Sequence, residues 1–105
     1  MMHYHDTVKA IGLELEKKGA YRFFDLDEED YHDIYDIEYT LDSDLDLIGA
    51  RIAIAVGGPT IHVDTRTGTI SLHHGTQTAY WYLSEETRDD VDSYFRELYE
   101  MRRGA

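Results

Sequence analysis

Apolar positions recur at two periods along this chain, and the changes of period divide it into elements. Tyr4, Val8, Ile11 and Leu15 recur at spacings of four, three and four, which places them on one face of a helix. The helix is predicted from about Tyr4 to Lys18. Lys17 and Lys18 complement the negative end of its dipole, Gly19 suits the position after its last turn, and Glu14 precedes Lys18 by four in the favourable orientation. Gly12 inside it costs about 1 kcal/mol relative to alanine, so docking on a sheet should provide most of its stability. Ala20 to Leu26 reads as a short strand or an extended link. Asp27 to Asp33 reads as an exposed acidic loop or a short helical turn.

From Tyr35 the pattern alternates strictly. Tyr35, Ile37, Tyr39 and Leu41 fall on one side, and Asp36, Glu38, Thr40 and Asp42 on the other, the period of a strand with one buried and one wet face. The parity continues through Asp44 and Asp46, although Asp-Ser-Asp at 42–44 is turn chemistry. Arg51 to Val56 alternates again, with Ile52, Ile54 and Val56 inward. Ala53 and Ala55 on its other face are small enough to let a helix approach. Gly57-Gly58-Pro59 makes a tight turn. Thr60 to Thr65 follows with Ile61 and Val63 inward and His62 and Asp64 outward, then a hairpin loop ending at Gly68. Thr69 to His73 and Thr78 to Leu83 complete the strands, with a turn at His73–Thr76. Ser84 can cap a last helix with Glu85 and Glu86 in its first turn. Val91, Tyr94, Phe95, Leu98 and Tyr99 give that helix an apolar face to about Met101, with Arg102 and Arg103 at its end and Gly104 closing it. The expected fold is α+β: an antiparallel meander sheet of four or five strands flanked by an N-terminal and a C-terminal helix, both covering one face.

Composition narrows the classes. The 105 residues make a single domain, 1–105, with room for one modest core. An apolar fraction of 42%, with 9 tyrosines, argues against disorder. There is no cysteine, hence no disulfide and no thiolate metal site, which fits an intracellular protein. No apolar run approaches the roughly 20 residues of a membrane span, and MMHYHDTVK lacks the basic and then apolar order of a signal peptide.

Charge changes the picture more. Between Asp25 and Asp46, 11 of 22 residues are acidic, and no Lys or Arg occurs from Phe23 to Ala50. The other 11 carboxylates face 10 Lys and Arg, so nearly all of the net charge of −12 lies in one stretch. Such a chain does not suit a phosphate backbone or an anionic membrane, which need basic side chains. A basic protein surface is its natural counterpart. The candidate partner-binding residues are Asp25, Asp27, Glu28, Glu29, Asp30, Asp33, Asp36, Glu38, Asp42, Asp44 and Asp46. Alternate strand residues lie roughly 6.6 Å apart, comparable in scale with phosphates at about 3.4 Å per strand of DNA. Asp36, Glu38 and Asp42 would thus form a negative row able to occupy a Lys/Arg groove made for nucleic acid. Tyr31 and Tyr35 either add contact area there or belong to the core. The alternative reading is a solvated face that keeps the protein soluble.

Other chemistry finds less support. Asp25, Asp27, Glu29 and Asp33 match part of an EF-hand calcium loop, but Asp30 stands where glycine is needed and Asp36 where glutamate is. Asp42, Asp44 and Asp46 start a second such loop that fails at Leu47 and Ala53. His3, His5, His32, His62, His73 and His74 include one cross-strand candidate, His62 beside Ser71 or His73, with no third ligand at suitable spacing. No dedicated metal or cofactor is expected. None of Ser43, Ser71, Ser84 and Ser93 sits in G-x-S-x-G, and Gly57–Thr60 lacks the lysine and helix of a phosphate loop. Tyr80, Trp81 and Tyr82 could stack bases, yet without basic neighbours they read as sheet packing. An enzyme is not expected.

GGPTIHVDTRTG, Gly57 to Gly68, followed by AYWYLSEETRDDVDSYFRELYE, Ala79 to Glu100, resembles a group of small acidic proteins of bacteriophages and mobile elements with a G-G-P-x-I-x-V-D-T motif. The resemblance covers about the last half of the chain and leaves the acidic stretch outside it. It implies a phage setting, the cytoplasm of a host cell, and a role like that of anti-CRISPR and other DNA-mimic inhibitors. The partner would then be a CRISPR–Cas effector or another nucleic-acid-binding protein. An immunity protein against a basic nuclease toxin, or a divalent-ion-binding or structural domain, are the alternatives. Either a monomer or a homodimer is compatible, with an uncovered sheet face or the Tyr80–Leu83 edge available for pairing.

Overall fold

The alternation in the middle of the chain produces a sheet whose two faces differ in kind. The structure, a computed structural model, describes residues 4–24 and 34–103. The expectations for Asp27 to Asp33, for Tyr31 and for Gly104 lie outside the described residues. The elements run α1 (Tyr4–Lys18), α2 (Ala20–Phe24), β1 (Asp36–Leu41), β2 (Leu47–Ala55), β3 (Thr60–Asp64), β4 (Thr69–His74), β5 (Gln77–Tyr82) and α3 (Glu85–Arg103). The strands form one antiparallel sheet in the order β1-β2-β3-β4-β5. This is the predicted α+β meander between two terminal helices, with five strands.

Register explains the core. Ile37, Ile52, Val63, Ile70 and Trp81 lie opposite one another in a single row across all the strands. Ile61 and Leu72 pair beside it. On this face α1 packs over β4 and β5, α3 packs over β2, and α2 touches both helices. Val8 and Leu15 from α1, and Val91 and Phe95 from α3, are fully buried against it. Burying side chains of this size contributes about 1.5–3 kcal/mol each.

Of the expected strand or link at Ala20 to Leu26, the described part, Ala20–Phe24, is a helix instead. Gly19 takes a positive φ of 82° after α1, and the chain re-enters a helix at once. Ala20, Phe23 and Phe24 are buried, an i, i+3, i+4 face too short to register as a period in the sequence. The Asp90 carboxylate accepts from the Ala20 N–H at 2.7 Å, so α3 satisfies the start of α2. Phe24 stands edge-on to Phe95.

Further corrections concern β2. It starts at Leu47 rather than Arg51, and its pairing shifts register between Ala53 and Ala55. That bulge packs Ala55 against the core instead of leaving it on Ala53's face, and leaves Val56, expected inward, 55% exposed. Ala53 receives no helix, because the helices take the Ile52 side. β1 ends at Leu41 after a shift at Thr40/Leu41. Tyr35, expected inward with Ile37, is 57% exposed.

Residues of the GGPTIHVDTRTG stretch hold turns and joints. Gly57 has φ 103° and Gly68 φ 67°, while Ile61 and Val63 are core. The Asp64 carboxylate accepts from the N–H groups of Arg66 and Thr67. Thr65, 2% exposed, accepts from the Ala50 N–H and donates to Asp92 of α3, both at 2.9 Å. Arg88 of α3 donates to the carbonyls of Thr65 and Arg66. The Ser84 hydroxyl caps α3 by accepting from the Thr87 N–H, as its sequence position predicts.

Candidate partner-binding surface

The face opposite the helices is polar, and among the described residues no element packs on it. Two rows cross it. Asp36, Ala53, His62, Ser71 and Tyr80 form one; Glu38, Arg51, Asp64, Thr69 and Tyr82 form the other. The acidic end of both rows is β1, at the edge of the sheet. Asp36 and Glu38 are exposed there, and strand geometry holds them roughly 6.6 Å apart.

Asp42 does not extend this row, which corrects the expectation. The strand ends before it, and the chain turns. Asp42 Oδ1 accepts from the N–H groups of Asp44 and Asp46 at 2.9 and 3.0 Å, while the Asp42 N–H donates to the Asp46 carbonyl. Leu45 takes a φ of 65° to complete the turn. The result gathers Asp42, Asp44 and Asp46 so that one carboxylate oxygen from each lies within 4.8 Å of the others. Leu47 and Ala53, where the calcium-loop pattern fails, lie in β2 rather than in a loop. The candidate residues Asp25, Asp27, Glu28, Glu29, Asp30 and Asp33 lie outside the described residues. Five candidates remain in view: two ordered along β1 and three at the tip of the β1–β2 hairpin.

Arg51 is the counter-charge that the acidic stretch lacks in sequence. It faces Glu38 across the β1–β2 pairing with N···O 3.8 Å, both side chains largely exposed. It also lies opposite Asp64. A pair this open contributes about 0–1 kcal/mol, so it trims the negative field without cancelling it.

His62 occupies the centre of the face. Burial pushes its pKa below the ordinary value of 6.5, the Arg51 and His73 charges act in the same direction, and Glu38 and Asp36 oppose them. Its Nδ1 is buried without a hydrogen-bond partner. His62 pairs with Ser71, and His73 lies one diagonal away opposite Thr60, which matches the expected placement. By sequence alone Tyr80, Trp81 and Tyr82 are expected together as sheet packing. Only Trp81 turns inward to the core. Tyr80 is 47% and Tyr82 73% exposed, and with Arg51, Asp64, Thr69, Ser71 and His73 they line a shallow depression. The signal that separates them is alternation: in TAYWY, the odd-numbered Ala79 and Trp81 face the core.

The surface therefore runs from carboxylates at β1, through Arg51, His62 and Asp64, to uncharged aromatic side chains at β5. No protein-family model, no curated protein and no solved structure matches this chain.

Proposed function

We propose that this protein is a binding module whose acidic edge occupies a basic, nucleic-acid-binding surface of another protein, an inhibitor of the DNA-mimic, anti-CRISPR-like kind. The observation that carries the reading is the confinement of charge: 11 carboxylates without a Lys or Arg between Asp25 and Asp46, with Asp36, Glu38, Asp44 and Asp46 exposed on one edge and its hairpin tip. A fixed spacing matters because a Lys/Arg groove preset for phosphates gains most from charges that need no ordering on contact. Like charges so close oppose folding, a cost that is met by a function as a surface.

The test uses a nucleic-acid-binding protein captured from a host lysate on the immobilised chain at low salt. Addition of the free chain should release DNA or RNA from that protein at stoichiometric amounts. Affinity should fall about tenfold or more when salt rises from about 50 to 300 mM, as the screening length contracts. The triple variant Asp36→Lys, Glu38→Lys and Asp44→Lys should abolish capture while keeping its fold by circular dichroism. Salt-independent binding, or full capture by the triple variant, would sink the reading.

A further inference from the structure

We infer that the edge of β5, which pairs with β4 alone among the described residues, is a self-association surface, at which a second copy of this chain pairs antiparallel about a two-fold axis to give one continuous ten-stranded sheet. This is independent of the acidic edge. A sheet edge exposes unpaired backbone N–H and C=O groups, and folded proteins blunt such edges with charge, bulges or proline. β1 carries Asp36 and Glu38 and a register shift near its end. β5, Gln77–Tyr82, contains no charged residue and no proline, and its pairing with β4 is unbroken from Gln77 to Tyr82.

The direction of the free groups follows from the hairpin. Gly75 and Thr76 form a two-residue loop between His74 and Gln77, and the residues flanking such a loop exchange backbone bonds with each other. The Leu83 N–H donates to the Gly68 carbonyl at 2.8 Å, in the same parity. Odd-numbered residues of β5 therefore point their backbone groups at β4, and Thr78, Tyr80 and Tyr82 point theirs outward. A two-fold axis through Tyr80 sets it opposite the partner's Tyr80 and sets Thr78 opposite the partner's Tyr82, each pair exchanging both backbone bonds.

Charge selects the occupant. Two chains of net charge −12 repel at most approaches, but β5 lies four strand spacings, about 19 Å, from the acidic edge, beyond the Debye length of about 8 Å at physiological salt. Described groups beside the β5 edge are Tyr4, His5 and Asp6 of α1, with Asp6 the one carboxylate among them. Tyr80 and Tyr82, exposed on the polar face, supply aromatic cross-strand contact. A β1-to-β5 contact would set carboxylates on that uncharged strand and would also fail to close. Pairing of β5 with β5 closes at two copies.

Sedimentation equilibrium of the full chain should give twice the chain mass at high concentration and the single mass on dilution. Tyr80→Pro removes an outward N–H and the exposed ring but no bond to β4, so the variant should keep its circular dichroism spectrum while its dimer dissociates more than about tenfold more readily. The chain has no cysteine, which allows a register test. Under oxidation Tyr80→Cys should give a covalent dimer, because self-paired Cα atoms lie about 5.5 Å apart, within disulfide reach. Thr78→Cys alone should not, its self-distance being roughly 13 Å, whereas a mixture of Thr78→Cys and Tyr82→Cys should. A chain monomeric at every concentration, a dimer unmoved by Tyr80→Pro, or cross-linking by Thr78→Cys alone overturns the inference.

Discussion

β1 and β5 are the two edges of one sheet, each six residues long, and each turns alternate side chains to the helices and to solvent. They manage exposure oppositely. β1 places carboxylates on its wet side and breaks register near its end; β5 places tyrosine and threonine there and stays regular. The inner sides differ as well. Trp81 of β5 fits against Gly12 of α1, while Tyr39 of β1 leans on Tyr99 of α3 with ring centroids 4.9 Å apart. The same alternating pattern can thus build a charged edge or an uncharged aromatic one, and the outward residue types decide which. The position of the charge says more than its amount.

The largest expected effect comes from unseating β5. A Cβ on Gly12 would lie 2.3 Å from Trp81 Cδ1 and 2.5 Å from Nε1, so Gly12→Ala forces α1 away from the sheet. Overpacking of this kind costs about 1–3 kcal/mol, against a gain of about 1 kcal/mol in helix propensity. Thermal unfolding should show a net lower Tm. An unchanged or raised Tm would mean that β5 is not pinned by this contact.

A second effect reads the middle ground between the edges. Burial lowers the pKa of His62, so between that lowered value and 6.5 the unfolded chain binds more protons than the folded one. Stability is then greatest above pH 6.5 and falls as pH drops below it. His62→Gln should flatten this part of the stability–pH curve, measured by urea unfolding at several pH values. Asp36→Asn should steepen it, because Asp36 acts against the shift. Equal slopes in wild type and His62→Gln would remove His62 from the account.

The smallest effect tests what the β1 charges are for. Glu38→Gln breaks the exposed contact with Arg51 and should move stability by no more than about 0.5 kcal/mol, while partner capture weakens. A large loss of stability instead would make the acidic edge a structural feature.

The periodic parts of the fold were legible because each burial pattern repeats several times. The apolar faces of α1 and α3 survive in the structure, as does the alternation within the strands away from the β2 bulge and the ends of β1. What sequence periodicity missed depends on single long-range contacts. α2 exists because Asp90 receives its first N–H and Phe95 receives Phe24. The bulge that turns Ala55 inward is a property of pairing and leaves no mark in the alternation. At the surface, the Asp36 and Glu38 placement followed from parity. Parity extrapolated into the hairpin misplaced Asp42, whose side chain is occupied with the Asp44 and Asp46 amides. Arg51 as the facing counter-charge needed the register, which no local pattern contains.

The strict meander order also has a consequence for how the chain reaches this state. Every strand pairs with its neighbour in sequence, so each hairpin closes a short loop and can zip onto the last without waiting for distant segments. The seal of α1 and α2 is different in scale. Tyr4 meets His74 and Ala20 meets Asp90 across 70 positions, and Glu16 receives the Ser84 N–H across 68. Closing loops of that length costs more chain entropy than any hairpin does, and contacts of high sequence separation slow folding. The N-terminal helices are thus held by the longest loop closures in the fold, and the hairpins by the shortest.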